Sequence, residues 1–331
     1  MVDLKWACTL ATALLLAAVA WLADEAAFGA QPWGAGYFPD VPLVTQEGRT
    51  VHLYQDLLKG KAVAVNMIFT SCPDSCPLST ANLARVQALL GDQAGRDIHF
   101  YSITVDPEHD TPEVLKDYAG KFHAGPDWLF LTGKAQDISL VQKKLGLWSS
   151  TDAEDPDNHL TSLMVGNEPT GQWMRQSTLD NPHFLATKLS SFLLGWQRQR
   201  GATGQNYGAT TPIEGLDAGH YLFRKTCAAC HSIGQGEALG PDLQGITGRR
   251  SRDWLRRFIQ APDRMLAQKD PIALELFTRY DQVRMPNLHL GDEDVEALIR
   301  YLEQQGAAPQ APGGQTGTLP TRPSGSKAQG T

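Results

Sequence analysis

Two cysteines stand between an apolar run and an amphipathic segment, and this arrangement constrains the fold of the first half of the chain. Residues 61–70, KAVAVNMIFT, are almost all apolar and rich in β-branched side chains, which predicts a strand buried on both faces. In residues 79–90 apolar side chains recur every three or four positions before Gly91, which predicts a helix capped by Ser79 or Thr80. Cys72 and Cys76 therefore lie on a strand-to-helix loop, where a helix N-terminus favours the thiolate.

A pair of thiols at this spacing has two kinds of chemistry open to it. The thiols can close a disulfide, or they can share one soft ion, such as Cu(I) or zinc. The spacing alone does not decide between a structural disulfide and a functional site, but the loop position and the two flanking prolines favour a functional site. Asp74 lies between the cysteines and is expected to be exposed, where it either tunes the site or forms the turn.

The rest of residues 36–197 alternates between strand and helix patterns. Strands are predicted at 97–105, 128–132, 159–165 and 172–175, and helices from Thr111, over 136–147 and from Asn181. Such alternation predicts a mixed α/β sheet with helices on both faces. His159 opens one strand after a polar loop, a place where histidines are often only solvated. His109 and Asp110 are expected to precede and cap a helix and are given no metal role.

Two motifs together resemble a known family. The run FTSCPDSCP at 69–77, followed by VDPEHDTPE at 105–113, resembles the Sco (SenC) family of copper-binding, thioredoxin-like proteins that assist assembly of cytochrome c oxidase. The resemblance covers residues 36–197 and implies a thioredoxin-like fold. The family's copper ligands are the two motif cysteines and one later histidine, which places them at Cys72, Cys76 and His159. Here the order around the histidine is NHLT, without the acidic residue that precedes it in the family.

A second pair of cysteines lies in the other half of the chain and is followed at once by a histidine. Cys227, Cys230 and His231 form the Cys-x-x-Cys-His signature of covalent haem attachment. The chemistry needs two thiols about one helical turn apart to bond the haem vinyl groups, with the adjacent histidine as an iron ligand. A zinc knuckle is the alternative, but no further cysteine or paired histidine follows at suitable spacing.

The surroundings of this signature resemble a class I cytochrome c, an all-α domain that would occupy residues 212–305. Gly219 precedes the signature, GPDL follows it at 240–243, and MPN at 285–287 comes before a last helix. The resemblance implies that Gly219 lets the first and last helices cross closely, with Tyr301 near it. It also implies that Pro241 supports the proximal His231 and that Met285 is the sixth ligand of the haem iron.

Two further side chains in this half of the chain could be haem ligands. Met265 is the rival axial ligand; it is expected to lie just past a helix marked by Trp254 and Phe258, and to serve packing. His289, four positions after Met285, is expected to be solvated.

The ends of the chain and its middle have distinct compositions. Residues 6–23 are 18 apolar or small residues after Lys5, a length between a secretory signal and a membrane span. We expect residues 1–30 to be a helix that anchors the protein at the periplasmic face of the inner membrane, with a cleaved export signal as the alternative. Residues 198–211 predict a flexible linker, and residues 306–331 a disordered tail.

These patterns together predict a two-domain redox protein. A net charge of −7 argues against nucleic acid as a partner. We expect a copper-binding domain fused to a cytochrome with covalent haem c, acting as a copper chaperone or thiol reductant for cytochrome c oxidase. The partner would be the copper-site subunit of that oxidase or another redox protein. Two alternatives stay open: a thiol-disulfide oxidoreductase or peroxidase of the same fold, and an electron-transfer cytochrome whose first domain only docks.

Overall fold

The computed structural model describes residues 33–148, 161–193 and 217–307. The predicted anchor helix at 1–30, the predicted linker at 198–211 and His159 lie outside the described residues, as does almost all of the predicted tail. In the described part of the chain, no helix has both the length and the apolar character that crossing a membrane requires. The structure shows an α/β domain followed by a helical domain.

A seven-stranded mixed sheet forms the centre of the first domain. Its strands are β1 (Pro42–Thr45), β2 (Thr50–His52), β3 (Ala62–Ile68), β4 (Ile98–Thr104), β5 (Trp128–Gly133), β6 (Ser162–Asn167) and β7 (Gln172–Ser177). They are arranged in the order β2-β1-β5-β4-β3-β6-β7. The three central strands β5, β4 and β3 are parallel, and the outer strands run antiparallel to their neighbours. The mixed sheet is confirmed, although β1 and β2 were not predicted.

The strand that leads to the first cysteine pair lies in the interior of the sheet. All seven side chains of β3 are buried, as the apolar run at 61–70 predicts. It pairs in parallel with β4 on one side and antiparallel with β6 on the other. The carboxyl end of β3 therefore lies beside the carboxyl end of β4 and the amino end of β6, and the cysteine loop begins at this edge.

Four helices cover the sheet: α1 (Ser75–Leu90), α2 (Pro112–Lys121), α3 (Ala135–Lys144) and α4 (Pro182–Thr187). Thr111 caps α2 and Asn181 caps α4 through their side chains, and a proline follows each cap in the first turn. The expectation that His109 or Asp110 caps α2 is wrong, because Thr111 occupies the N-cap position. Short π-helical turns span Leu53–Leu58 and Lys188–Leu193.

Helix α1 begins earlier than the sequence predicts. Its N-cap is Asp74, so Cys76 lies in the first turn, and Ser79 and Thr80 are buried in the helix instead of capping it. Pro77 does not block this start, because the N–H groups of a first turn have no partner within the helix. The helix ends as predicted at Gly91, which has a φ of 53°. Asp74 is half-buried, where an exposed side chain was expected.

The helical domain contains six helices in the described residues: α5 (Ala218–Lys225), α6 (Ile246–Arg249), α7 (Arg252–Gln260), α8 (Pro262–Ala267), α9 (Pro271–Arg279) and α10 (Asp292–Ala307). Helices α5 and α10 cross at Gly219. A Cβ atom at Gly219 would lie 2.1 Å from the carbonyl oxygen of Ala297 and 2.8 Å from the Cβ of Tyr301. The close crossing and the contact with Tyr301 are confirmed.

Met265 follows α7, the helix that contains Trp254 and Phe258, as predicted. It lies in a further short helix, α8, which was not predicted. Pro262 occupies the first turn of α8 and starts it immediately after α7, since proline is well suited to the beginning of a helix.

Candidate copper and haem sites

The first cysteine pair is buried where β3 turns into α1. Cys72 is 1% exposed and Cys76 is 0% exposed. The backbone N–H of Cys76 donates to Sγ of Cys72 over 3.4 Å, so the loop folds the first sulfur back over the start of the helix. This hydrogen bond holds the Cys72 sulfur against the first turn of α1, where Cys76 lies.

A buried carboxylate fixes the beginning of this loop. Asp110 is 0% exposed and accepts from the backbone N–H of Thr70 at 3.1 Å, from its hydroxyl at 2.5 Å and from the hydroxyl of Thr104 at 2.5 Å. Because β3 and β4 are parallel neighbours, their carboxyl ends bring the two threonines to one edge. Asp110 therefore ties the cysteine loop to the end of β4, a role that the sequence analysis did not assign.

Two residues near Asp110 and α1 complete the surroundings of the loop. His109 is exposed, and its Nδ1 lies 2.9 Å from an Asp106 carboxylate oxygen. Tyr118 is buried, with its hydroxyl 3.0 Å from that of Thr80. Burial, and then the neighbouring thiol of Cys76, raise the pKa of Tyr118 well above its usual value. The phenol therefore remains protonated beside the sulfur atoms.

The chain that leads away from His159 is tied to α1. The carbonyl of Thr161 accepts from the N–H of Thr178 at 2.7 Å and from its hydroxyl at 3.0 Å. The hydroxyl of Thr178 also lies 2.7 Å from that of Ser79, which is one helical turn beyond Cys76. Among the described residues, no three His, Cys, Asp or Glu side chains form a group that would hold a metal ion. His159, the third predicted ligand, lies outside them.

The second cysteine pair opens into a cavity of the helical domain. The cavity has about 790 Å³ of empty space, including some that is open to solvent, and Cys227, Cys230, His231 and Met285 line it together. Its remaining walls are largely apolar, as expected of a cofactor pocket. They include Phe258, Leu266, Leu276, Phe277 and Leu288.

His231 is oriented for ligation. Its Nδ1 lies 2.9 Å from the carbonyl oxygen of Pro241, and because that oxygen only accepts, Nδ1 carries the proton. Burial lowers the pKa of His231, which keeps the ring neutral. The lone pair of Nε2 is then available to a metal. Gly240 is needed beside the ring, since a Cβ there would lie 2.6 Å from Cε1 of His231.

The two thiols of this site are poorly suited to carrying charge. Burial raises the pKa of Cys230 to about 12 and also raises the pKa of Cys227. Zinc would require three or four converging ligands, and among the described residues no three His, Cys, Asp or Glu side chains form such a group, whereas the thioethers that join cysteines to haem are uncharged. The donors and the cavity fit a covalently attached haem better than a zinc ion.

The two candidate methionines have different surroundings. Met285 lines the cavity that contains the cysteines and His231. Met265 is 4% exposed and packs in a separate apolar cluster with Trp254 and Val295. If a haem occupied this cavity, Met285 would be better placed than Met265 to hold its iron.

This difference gives a direct prediction for the haem-loaded protein. Met285→Ala should abolish the methionine–iron absorption band and lower the haem potential, because Met/His ligation raises it. Met265→Ala should keep the band but destabilise the domain by about 2–5 kcal/mol, the usual cost of truncating a buried large side chain. Optical spectra and thermal unfolding of both variants would test this. Loss of the band in Met265→Ala alone would make Met265 the ligand.

The helix that starts at the first cysteine pair also reaches the second one. Leu78 of α1 lines the cavity together with Cys230. Nη1 of Arg85 donates to the carbonyl oxygen of Ala228 over 2.8 Å, inside the turn between the two haem-site cysteines. Sequence analysis did not predict this contact, because no residue in either cysteine motif indicates that the two motifs lie close together in the fold.

Comparison with known proteins identifies both domains. The SCO1/SenC family model matches residues 37–192, and the cytochrome c model matches residues 216–306. An SCO2-like protein of Rickettsia felis is 33% identical over 147 residues, which are 43% of this chain and 69% of that protein. An SCO1 homolog of Bacillus subtilis is 38% identical over 92 residues, 28% of this chain and 46% of that protein.

Solved structures also resemble parts of the chain. A cytochrome c domain from Pseudomonas putida is 46% identical and covers 27% of this chain and 88% of that structure, with a TM-score of 0.26. Yeast Sco1 with copper bound is 23% identical and covers 51% of this chain and 100% of that structure, with a TM-score of 0.39.

The chain belongs to the SCO1/SenC family and continues into a cytochrome c domain. The resemblance drawn from the two motifs is thereby confirmed. The first domain, built on the mixed α/β sheet, is the part that matches the SCO1/SenC model, and the helical region that follows it is the cytochrome c region.

Proposed function

We propose that this protein binds copper at its first domain and haem at its second, and that it delivers copper to, or reduces, the copper site of cytochrome c oxidase. One observation carries the proposal. Helix α1 holds Cys76 in its first turn and lines the cavity of the second domain through Leu78. A chain that places two redox-capable sites on either side of one helix is suited to exchanging electrons between them.

The copper site is proposed at Cys72, Cys76 and His159, with the ion as cargo. Soft sulfur ligands select Cu(I) over harder cations. His159 precedes Thr161 by two residues, and two residues span at most about 7 Å. Since Thr161 is hydrogen-bonded through Thr178 to α1, the chain length allows His159 to reach the cysteine loop.

The haem site is proposed at Cys227, Cys230, His231 and Met285. When bound, haem supplies a one-electron iron couple whose potential is raised by His/Met ligation. Cys227 and Cys230 would form the thioethers, and the carbonyl of Pro241 holds the ring of His231 in its ligating orientation. The walls of the pocket around Met285 are largely apolar, as a haem would require.

We also propose that residues 1–30 export the protein and tether it to the periplasmic face of the inner membrane. The support is the apolar run at 6–23 with Lys5 before it. This location would place both domains on the side where an exported oxidase subunit presents its copper site.

The test is Cu(I) titration of the wild type and His159→Ala. We expect His159→Ala to bind Cu(I) at least about tenfold more weakly, since even residues that only support a metal ligand often contribute that much. His109→Ala is the matched control, because that exposed histidine lies near the loop and pairs with Asp106. Equal affinity in wild type and His159→Ala would remove His159 from the site and favour a thiol-disulfide oxidoreductase or peroxidase, which needs no histidine ligand.

A further inference from the structure

Arg85 is an unusual residue for its position. It is the only charged residue among the sixteen of α1, and most of its neighbours along the helix are apolar or small. The side chain is half-buried, and burial lowers the pKa of its guanidinium. Withdrawing such a group from water is unfavourable unless it gains a partner. That partner is the carbonyl oxygen of Ala228, 2.8 Å away and 143 positions further along the chain.

An apolar contact accompanies this hydrogen bond. The buried cluster of the first domain includes Leu78 and both Cys72 and Cys76, and it also takes in Ala229 of the haem-site turn, which is 4% exposed. Side chains from the second domain pack against the same cluster, namely Cys230, Leu239, Val283 and Leu288. We call this the domain contact: Leu78 and Arg85 of α1 against Ala228, Ala229 and Cys230.

The charge of Arg85 also lies near the pocket. Cys230 lines the cavity, and the carbonyl to which Arg85 donates belongs to Ala228, two residues before Cys230. A cation at the edge of a haem pocket disfavours the ferric state, which carries one more positive charge than the ferrous state. Loss of the guanidinium would therefore stabilise the oxidised form.

We propose that Arg85 is a positioning residue that docks the cytochrome c domain onto the thiol-bearing helix α1 and holds the haem potential high while the two domains are docked. This inference rests on the proposed function in assuming that haem occupies the cavity. It assigns a role to a residue outside both cysteine motifs. If Arg85 has this role, the domain contact must loosen before either domain can present the surface buried in that contact to another protein.

The experiment compares Arg85→Gln and Arg85→Lys with Arg96→Gln in the full, haem-loaded chain. Arg96 is a matched control, because it is an arginine of the same domain whose side chain pairs with the adjacent Asp97. Small-angle X-ray scattering gives the radius of gyration, and spectroelectrochemistry gives the haem potential. Arg85→Gln should have a larger radius and a potential shifted downwards by about 59 mV, the equivalent of about tenfold in a one-electron equilibrium.

Arg85→Lys keeps the charge and should retain most of the potential, while Arg96→Gln should match the wild type in both measurements. A wild-type radius and potential in Arg85→Gln would overturn the proposal. If Arg85→Gln does not fold, Arg85→Lys still tests the hydrogen bond, since an unchanged radius in that variant would show that the forked guanidinium is not needed.

The failure of this inference is distinguishable from failure of the proposed function. The radius of gyration is measured on copper-free protein and does not depend on the cysteine ligands. If wild type binds no copper, the proposed function fails while the radius still tests the domain contact. If copper and haem bind normally in Arg85→Gln and neither radius nor potential changes, the role of Arg85 fails alone.

Discussion

Replacing Cys76 with serine should reduce the affinity of the first domain for Cu(I) by more than about a hundredfold, because residues that merely support a metal ligand already contribute about 10- to 100-fold. A hydroxyl is a hard, neutral donor at neutral pH and cannot replace a soft thiolate for Cu(I). Cys72→Ser should behave in the same way. Competition titrations with a Cu(I) chelator of known affinity would measure both losses.

The variants carry an internal control. Cys76 is fully buried, so serine introduces a polar group into the core and costs about 1–3 kcal/mol unless it finds a partner. An unchanged spectrum of the second domain and a cooperative unfolding transition would show that the protein still folds. Ser75→Ala changes the adjacent residue without removing a thiol and should keep wild-type copper affinity. Wild-type affinity in the double variant Cys72→Ser/Cys76→Ser would exclude the proposed copper site.

Much of the sheet and its helices could be predicted from local patterns. The apolar run that became β3, the Thr111 and Asn181 caps, and Gly91 at the end of α1 all act over a few residues. The start of α1 was predicted too late, since Pro77 looks like a helix breaker although a first turn accepts it. Strands β1 and β2 have only four and three residues, too few for an alternating pattern to be recognised.

The site residues that were missed depend on contacts between distant parts of the chain. Asp110 holds Thr70 across 40 positions, and its local sequence indicates only the helix that follows. A hydroxyl residue at or just beyond the end of each of two parallel strands was the signal that could have suggested it. For Arg85, the only signal was a single charge in an otherwise uncharged helix. Its partner could not be identified, because no local rule connects α1 to a turn in another domain.

The arrangement of the two sites suggests how copper delivery and electron exchange are related. Cys72 and Cys76 are almost completely buried, and residues of the cytochrome c domain pack against the cluster that contains them. A protein that hands copper to a partner has to expose its thiol ligands. We expect the docked form to be suited to electron exchange between the domains, and we expect the predicted linker at 198–211 to let the domains separate if copper is delivered.

The last prediction is that the two domains exchange an electron within one molecule at a rate that does not depend on protein concentration. A short flexible linker gives an effective concentration of up to about millimolar, and the domain contact brings α1 directly to the haem-site turn. In copper-loaded protein the balance is one for one: Cu(II) gains the electron that ferrous iron loses, or Cu(I) gives one to ferric iron. Rapid reduction of the cytochrome, followed optically over a dilution series, measures the rate.

The number of electrons distinguishes exchange between haem and copper from reduction of a disulfide at the first cysteine pair. A disulfide between Cys72 and Cys76 would need two electrons and two protons to become two thiols, whereas one cytochrome c domain supplies a single electron. Complete reduction of a disulfide would thus require an electron from a second molecule or from an added reductant. Without an added reductant, the rate of disulfide reduction should fall on dilution. Cys72→Ser and Cys76→Ser should abolish the concentration-independent phase while Ser75→Ala retains it. If copper-loaded wild type shows only a rate proportional to concentration, the dithiol alternative, disulfide reduction, is favoured, and if it shows no exchange at all, the first domain serves the cytochrome as a docking module.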